Sequence, residues 1–269
     1  MLEGVENTAL KMELQHELGG NGNFRSPLPK LYRSGAWKQH TCPIPLQEQN
    51  NIGLIVDLRE PGETHASFTP GHRDIDSVTG INSVHIPLYR AKYAAPVTLK
   101  DALNNPPAPE SPVPLATDIY SLYSHLLNDR GAMFAEAVNK ISEHYRHQNT
   151  GILLHCSAGK DRTGLLTALL MLLAGKPQKD ILADYTASES SLTEAYKATK
   201  TEQLAQAGIT EDHQHWDMYQ TVHFKAPAAA ILHALDVIGD HDGAYWFLQK
   251  NGAGTEELDF LHRFWRQQA

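Results

Sequence analysis

Two neighbouring apolar segments constrain this chain more than anything else in it. Gly151-Ile152-Leu153-Leu154-His155 carries no polar side chain before its last residue, and Thr163 to Leu173 is rich in Ala and Leu. The first has the length and composition of a strand buried on both faces, the habit of parallel sheets. The second reads as a helix, with Gly175 and Pro177 marking its end. The residues between them must turn the chain from strand to helix.

Further elements follow the same alternation. Gly53-Leu54-Ile55-Val56-Asp57 is a β-branched run ending in a carboxylate, and Ser83 to Leu88 is a second strand candidate that Pro87 confines to a strand end or sheet edge. Met133 to Tyr145 places Phe134, Val138, Ile141 and Tyr145 at helical spacing. The remainder, through Ile181, Leu192, Leu204, Ile231 and Phe260, reads as several amphipathic helices. Strands alternating with helices predict one α/β domain over residues 1–269, a central and mostly parallel sheet with helices on both faces. Residues 1–30, polar and Gly/Asn-rich, read as a loosely structured segment. Residues 94–117 hold six prolines and read as a long loop or lid within the domain.

Composition narrows the function. The formal net charge is -8, so the chain as a whole has no bias towards nucleic acid or an anionic membrane, and an anionic ligand needs a local positive site. Cys42 and Cys156, the two cysteines, cannot make a disulfide framework, which points to a reducing, cytoplasmic compartment. Neither a signal peptide nor a membrane-spanning apolar run is visible. Export without a cleavable signal stays open.

The strand-to-helix junction reads His155-Cys156-Ser157-Ala158-Gly159-Lys160-Asp161-Arg162-Thr163-Gly164, with five residues between Cys156 and Arg162. A loop of this length can curl round one tetrahedral anion. Backbone N–H groups and the unpaired donors of the helix N-terminus face it, and an Arg grips two of its oxygens. The same field favours a thiolate at a cysteine so placed. Thr163 could donate a hydrogen bond to that sulfur, and Gly159 and Gly164 allow close backbone approach.

This loop closely resembles the phosphate loop of the protein tyrosine phosphatases. Its Ala-Gly-Lys-Asp-Arg-Thr-Gly form is similar to the atypical bacterial group that includes phosphoserine and phosphoinositide phosphatases. Leu31-Tyr32-Arg33-Ser34-Gly35, Val56-Asp57-Leu58-Arg59, Val84-His85-Ile86-Pro87-Leu88 and Asp184-Tyr185 resemble that group's other short blocks, in order. Asn23-Phe24-Arg25-Ser26 departs from it, since many relatives carry Asp and a Gly pair after the Arg.

The resemblance implies a metal-independent, cofactor-free phosphatase acting on a phosphorylated protein, most readily phosphotyrosine, with a phosphoinositide as the alternative substrate. It implies Cys156 as nucleophile, Arg162 as phosphate clamp and Ser157, Ala158, Gly159, Lys160, Asp161, Arg162 and Thr163 as the phosphate cradle, with Lys160 an added cation for multiply charged substrates. The general acid is open between Asp161, inside the loop, and Asp57, at the end of a strand; Asp118 is a more distant choice. A phosphate-binding module without turnover is the alternative from another class. Asp74-Ile75-Asp76 matches the start of a haloacid-dehalogenase motif but follows a turn rather than a strand, and the His213/His215 and Asp240-His241-Asp242 clusters lack metal-ligand spacing.

Overall fold

A computed structural model describes residues 22–36, 50–60, 81–88, 118–206 and 208–268 of the 269-residue chain. Five strands, β1 (Arg25–Leu28), β2 (Leu31–Ser34), β3 (Ile52–Asp57), β4 (Asn82–His85) and β5 (Gly151–His155), form one sheet in the order β1-β2-β5-β3-β4. All neighbours run parallel except β1 with β2, an antiparallel pair on the sheet edge. Among the described residues the main helices are α1 (Ile119–His147), α2 (Asp161–Leu173), α3 (Gln178–Ser191), α4 (Glu194–Gln206), α5 (Trp216–His223), α6 (Ala228–Ile238), α7 (His241–Lys250) and α8 (Thr255–Arg266). The chain is the single α/β layered domain that the alternation predicts.

The period of two in the strands decides what lies on each face. Leu54 and Val56 of β3 and Ile152 and Leu154 of β5 point into the main core, packed by α1, α2, α3, α6, α7 and α8. Ile52, Ile55 and Leu153 point the other way into a small cluster with Phe24 and Ile81, which no described helix joins. From Arg162 to Leu173, α2 is buried all round. An apolar helix can sit nowhere else, and this fixes the loop before it at the heart of the molecule.

Two elements differ from the sequence reading. The segment expected to be loose up to residue 30 supplies β1, because Leu28 is buried and Arg25 is engaged by α3. The helix expected from Met133 begins at Ile119, where Asp118 caps it with a reciprocal bond to Ser121; non-helical Arg130 kinks it midway. The hairpin β1–β2 is held from behind: Tyr145 donates its hydroxyl to Lys30 O at 2.9 Å, and Trp265 its indole N–H to Pro29 O at 3.2 Å. The Pro-rich stretch, Cys42, Asp74 and Asp76 lie outside the described residues.

Candidate active site

The parallel register brings four strand ends into line. Ser34 pairs with His155, His155 with Asp57, and Asp57 with His85, all on the carboxyl edge of the sheet. Such an edge is where α/β sheets carry their ligands. Cys156 leaves the edge from the central strand, β5. The chain then closes a short loop and enters α2 at Asp161, with no side chain capping that helix N-terminus. The first-turn N–H donors of α2 are therefore not consumed by a cap.

The orientation of this loop follows from its carbonyls. Ser157 O accepts from Ala36 N at 2.8 Å. Asn23 Nδ2 donates to Ala158 O at 3.0 Å and to Gly159 O at 2.9 Å, and Arg33 Nη2 donates to Gly159 O at 2.6 Å. Lys160 O accepts from Gly164 N at 2.8 Å. No peptide bond among the described residues is cis. In a planar trans peptide the N–H lies opposite the preceding C=O. Three carbonyls held by Ala36, Asn23 and Arg33 thus turn the N–H groups of Ala158, Gly159 and Lys160 away from those partners, while Lys160 O starts the hydrogen-bond ladder of α2. Gly159 makes the turn at φ +67, where a Cβ would stand 2.2 Å from Ser34 O; no other residue fits.

Behind the loop lies a buried ionic layer. Asp184 of α3 accepts from Arg25 Nε at 2.7 Å and, on its other oxygen, from Arg33 Nη1. Arg25 Nη2 also reaches Ser188 Oγ at 2.9 Å, while Arg25 Nη1 donates to Asn23 Oδ1. Burial pushes the Arg25 guanidinium down to about 10, helped by Arg33 and opposed by Asp184, so it remains charged at neutral pH. Burial alone would raise the Asp184 carboxyl, but Arg33 and Arg25 outweigh it and hold the group below its ordinary range. The unusual Asn23-Phe24-Arg25-Ser26 segment is thus part of the loop's support: Asn23, at φ +67 and fully buried, is the residue that ties two loop carbonyls.

The residues singled out from sequence fall into distinct places. Cys156 is 2% exposed, at the base of the loop. Arg162, also buried, donates from Nη1 to Leu58 O at 3.2 Å. Asp57 is engaged throughout by Arg59: Oδ1 accepts the Arg59 N–H at 3.0 Å and Nε at 2.9 Å, and Oδ2 accepts Nη2 at 2.6 Å. His155 Nε2 stands 3.7 Å from Oδ2. Burial would raise the Asp57 carboxyl; His155 and Arg59 overcome that and hold it well below the usual carboxylate range. Asp161 instead opens α2, and its Oδ1 accepts from the Tyr123 hydroxyl at 2.7 Å. Asp118 serves as the α1 cap, its carboxylate accepting Ser121 N at 2.7 Å.

Two expectations for the loop are corrected. Lys160 is not an added cation facing a substrate. Its ammonium is fully buried and donates to Val222 O at 2.6 Å and Lys225 O at 2.7 Å, with Asp161 Oδ1 at 3.6 Å. It satisfies open carbonyls at the C-terminus of α5, where a cation suits the helix dipole. Thr163 Oγ1 does not bond the sulfur; it is buried with no hydrogen-bond partner among the described residues. Among those residues no group of three His, Cys, Asp or Glu side chains could hold a metal. Asp240 caps α7 through Asp242 N and Gly243 N at 3.1 Å each, and His213 Nδ1 accepts from His215 N.

Sequence reasoning gave no role to Asn23, Arg33, Asp184, Tyr123 or Tyr185. The available signal was slight: Arg33 stands inside an otherwise buried strand, and Asp184-Tyr185 in a helix.

A five-stranded, mostly parallel sheet with a Cys-x5-Arg loop between its central strand and a buried helix defines an α/β protein of the tyrosine-phosphatase kind. The chain belongs to the tyrosine phosphatase family, whose model matches residues 28–265. It is 29% identical over 197 residues to a candidate tyrosine-protein phosphatase of Cupriavidus necator, covering 71% of this chain and 64% of that protein. It is 31% identical over 115 residues to a tyrosine-protein phosphatase of Nostoc commune, covering 42% and 38%. The chain thus spans less than two thirds of these relatives' length. Among solved structures it is similar to the core catalytic domain of the S. cerevisiae PP-IP phosphatase SIW14, at 16% identity and TM-score 0.36, over 76% of this chain and 95% of that one. No described helix is long and apolar enough to cross a membrane.

Proposed function

We propose that this protein hydrolyses phosphate monoesters in two steps through a phosphocysteine on Cys156, with phosphotyrosine in proteins as the favoured substrate. The observation that supports the reading is the loop between Cys156 and Arg162, whose Ser157, Ala158 and Gly159 carbonyls are taken by Ala36, Asn23 and Arg33, leaving its N–H groups to a ligand. That arrangement receives three anionic oxygens and presents phosphorus to the sulfur. Arg162 turns its guanidinium to the phosphate while Leu58 O steadies one end of it.

In the first step the S–P bond forms as the P–O bond breaks, and the leaving oxygen takes a proton from Asp161. Asp57 is unsuited to that task, since both of its oxygens are already taken by Arg59, whose charge holds the carboxyl in its ionised form. In the second step Asp161, now a carboxylate, takes a proton from water as the water attacks phosphorus. Free Cys156 and inorganic phosphate result, and ping-pong kinetics follow.

Rapid quenching of a phosphotyrosine peptide reaction, followed by intact-mass analysis, tests the mechanism. A single phosphoryl adduct on wild type and none on Cys156→Ser is expected, with the variant still binding vanadate or phosphate. Turnover by Cys156→Ser within about tenfold of wild type would overturn it. Comparing kcat/KM for phosphotyrosine peptides, phosphoserine peptides and phosphoinositide vesicles decides the substrate. The burial of Lys160 favours the singly phosphorylated peptide.

A further inference from the structure

Resting on Asp161 as the general acid, we infer that Tyr123 is a positioning residue that forces the acid's proton onto Oδ2, the carboxyl oxygen left for the substrate. One donor meets Oδ1, the Tyr123 hydroxyl at 2.7 Å, and the positive charge of the Lys160 ammonium stands 3.6 Å from the same oxygen, beyond hydrogen-bond reach. No described residue donates to Oδ2. A carboxylic acid has one proton and two oxygens, and it places the proton on the oxygen that is not already accepting hydrogen bonds.

The tyrosine is itself held in its donating orientation. Tyr123 and Tyr185 hydroxyls lie 2.6 Å apart, their rings edge to face. Each phenol has one proton. With that of Tyr123 committed to Asp161, the bond between the phenols must be donated by Tyr185. Both phenols stay protonated, because burial pushes Tyr123 well above its ordinary value and moves Tyr185 the same way. The chain Tyr185 to Tyr123 to Asp161 therefore runs in one direction, from α3 through α1 to the first residue of α2. It fixes a carboxyl whose backbone already stands in the loop.

The chemical consequence falls on one bond. Expulsion of a basic phenoxide or alkoxide needs the proton as the P–O bond breaks, whereas a weakly basic leaving group does not. Tyr123→Phe keeps the ring in the core and removes only the donor. Its kcat should fall about tenfold on phenyl phosphate, the order of one hydrogen bond to a charged group, and stay within about twofold on dinitrophenyl phosphate. KM should stay unchanged on both. Tyr185→Phe, one bond further away, should show the same selectivity at smaller amplitude and carries the test if Tyr123→Phe folds poorly. Asp161→Asn, run in parallel, separates this inference from the reading beneath it. Selective loss in Asp161→Asn with equal losses, or none, on both substrates in the tyrosine variants overturns the positioning role and leaves the acid standing. Absence of selectivity in all three overturns both.

Discussion

Asp57 and Asp161 show how neighbours divide two carboxylates at one sheet edge. Asp57 is saturated by Arg59, and its charge is part of the folded state. Breaking such a buried pair by Asp57→Ala should cost about 3–5 kcal/mol, because it removes the carboxylate that accepts from the Arg59 backbone and guanidinium in a buried place. Asp57→Asn should lower activity evenly across leaving groups, acting through the Leu58 turn that steadies Arg162. The pH dependence has a definite sign. A carboxyl whose folded-state pKa is depressed contributes stability that is complete above its unfolded value, near 4, and is lost as pH falls through the folded value. Asp184 acts in the same sense. Urea midpoints measured from about pH 6 to pH 2 should fall steeply below about 4 in wild type and less steeply in Asp57→Asn. Parallel acid limbs would show that the Asp57 charge adds nothing to the fold.

Among elements, the junction of β5 and α2 was the most legible, because everything it needs is contiguous. An apolar strand, a cysteine, a glycine at the tight turn and an arginine follow one another, and strand and helix fix their directions. The supports were not legible, because they come from four separate segments. Asn23 meets Ala158 across 135 residues and Tyr123 meets Asp161 across 38. A pattern reading places Arg33 at a surface, since a fully buried arginine is visible only once Asp184 and Gly159 O are in space beside it. Lys160 misled for the same reason: its partners are carbonyls of α5 and the turn after it, which no side-chain pattern reveals. Lys160→Met should therefore act on the element rather than on substrate choice. It should speed proteolysis across residues 192–225 and lower Tm, with the ratio of kcat/KM for phosphotyrosine peptide to phosphoinositide moving less than about threefold. A large, selective loss of phosphoinositide activity with unchanged Tm would restore Lys160 as a substrate-facing cation. Gly159→Ala tests the loop backbone itself. Its Cβ would meet Ser34 O and C within 2.3 Å, both fixed in the sheet, so activity should fall by more than tenfold even if the fold survives.

At the scale of the whole molecule, one hairpin links the distal helices to the site. The β1–β2 unit carries Asn23 and Arg25 at one end and Arg33 within β2, while its turn is held by Tyr145 of α1 and Trp265 of α8. Trp265 is 2% exposed and packs edge to face on Tyr145, with Phe264 stacked on the same ring. Trp265→Ala should cost about 3–5 kcal/mol, or a fall of roughly 10 °C in Tm by calorimetry. A shift under about 2 °C would mean that α8 is not structurally coupled to the sheet edge.

The outward-drawn carbonyls of the loop also predict where this protein tolerates change. On the proposed function, anion recognition by backbone N–H groups places little demand on the side chains of Ser157 and Ala158, which can vary while the mould keeps its shape. The demand moves to residues that never touch the ligand. In a randomised library sorted for variants that express well but are inactive, Asn23, Arg33 and Asp184 should recur nearly as often as Cys156 and Arg162, whereas small-residue changes at position 158 should pass. Such a map would show inactivating positions scattered over more than half the chain length yet clustered around a single loop in space.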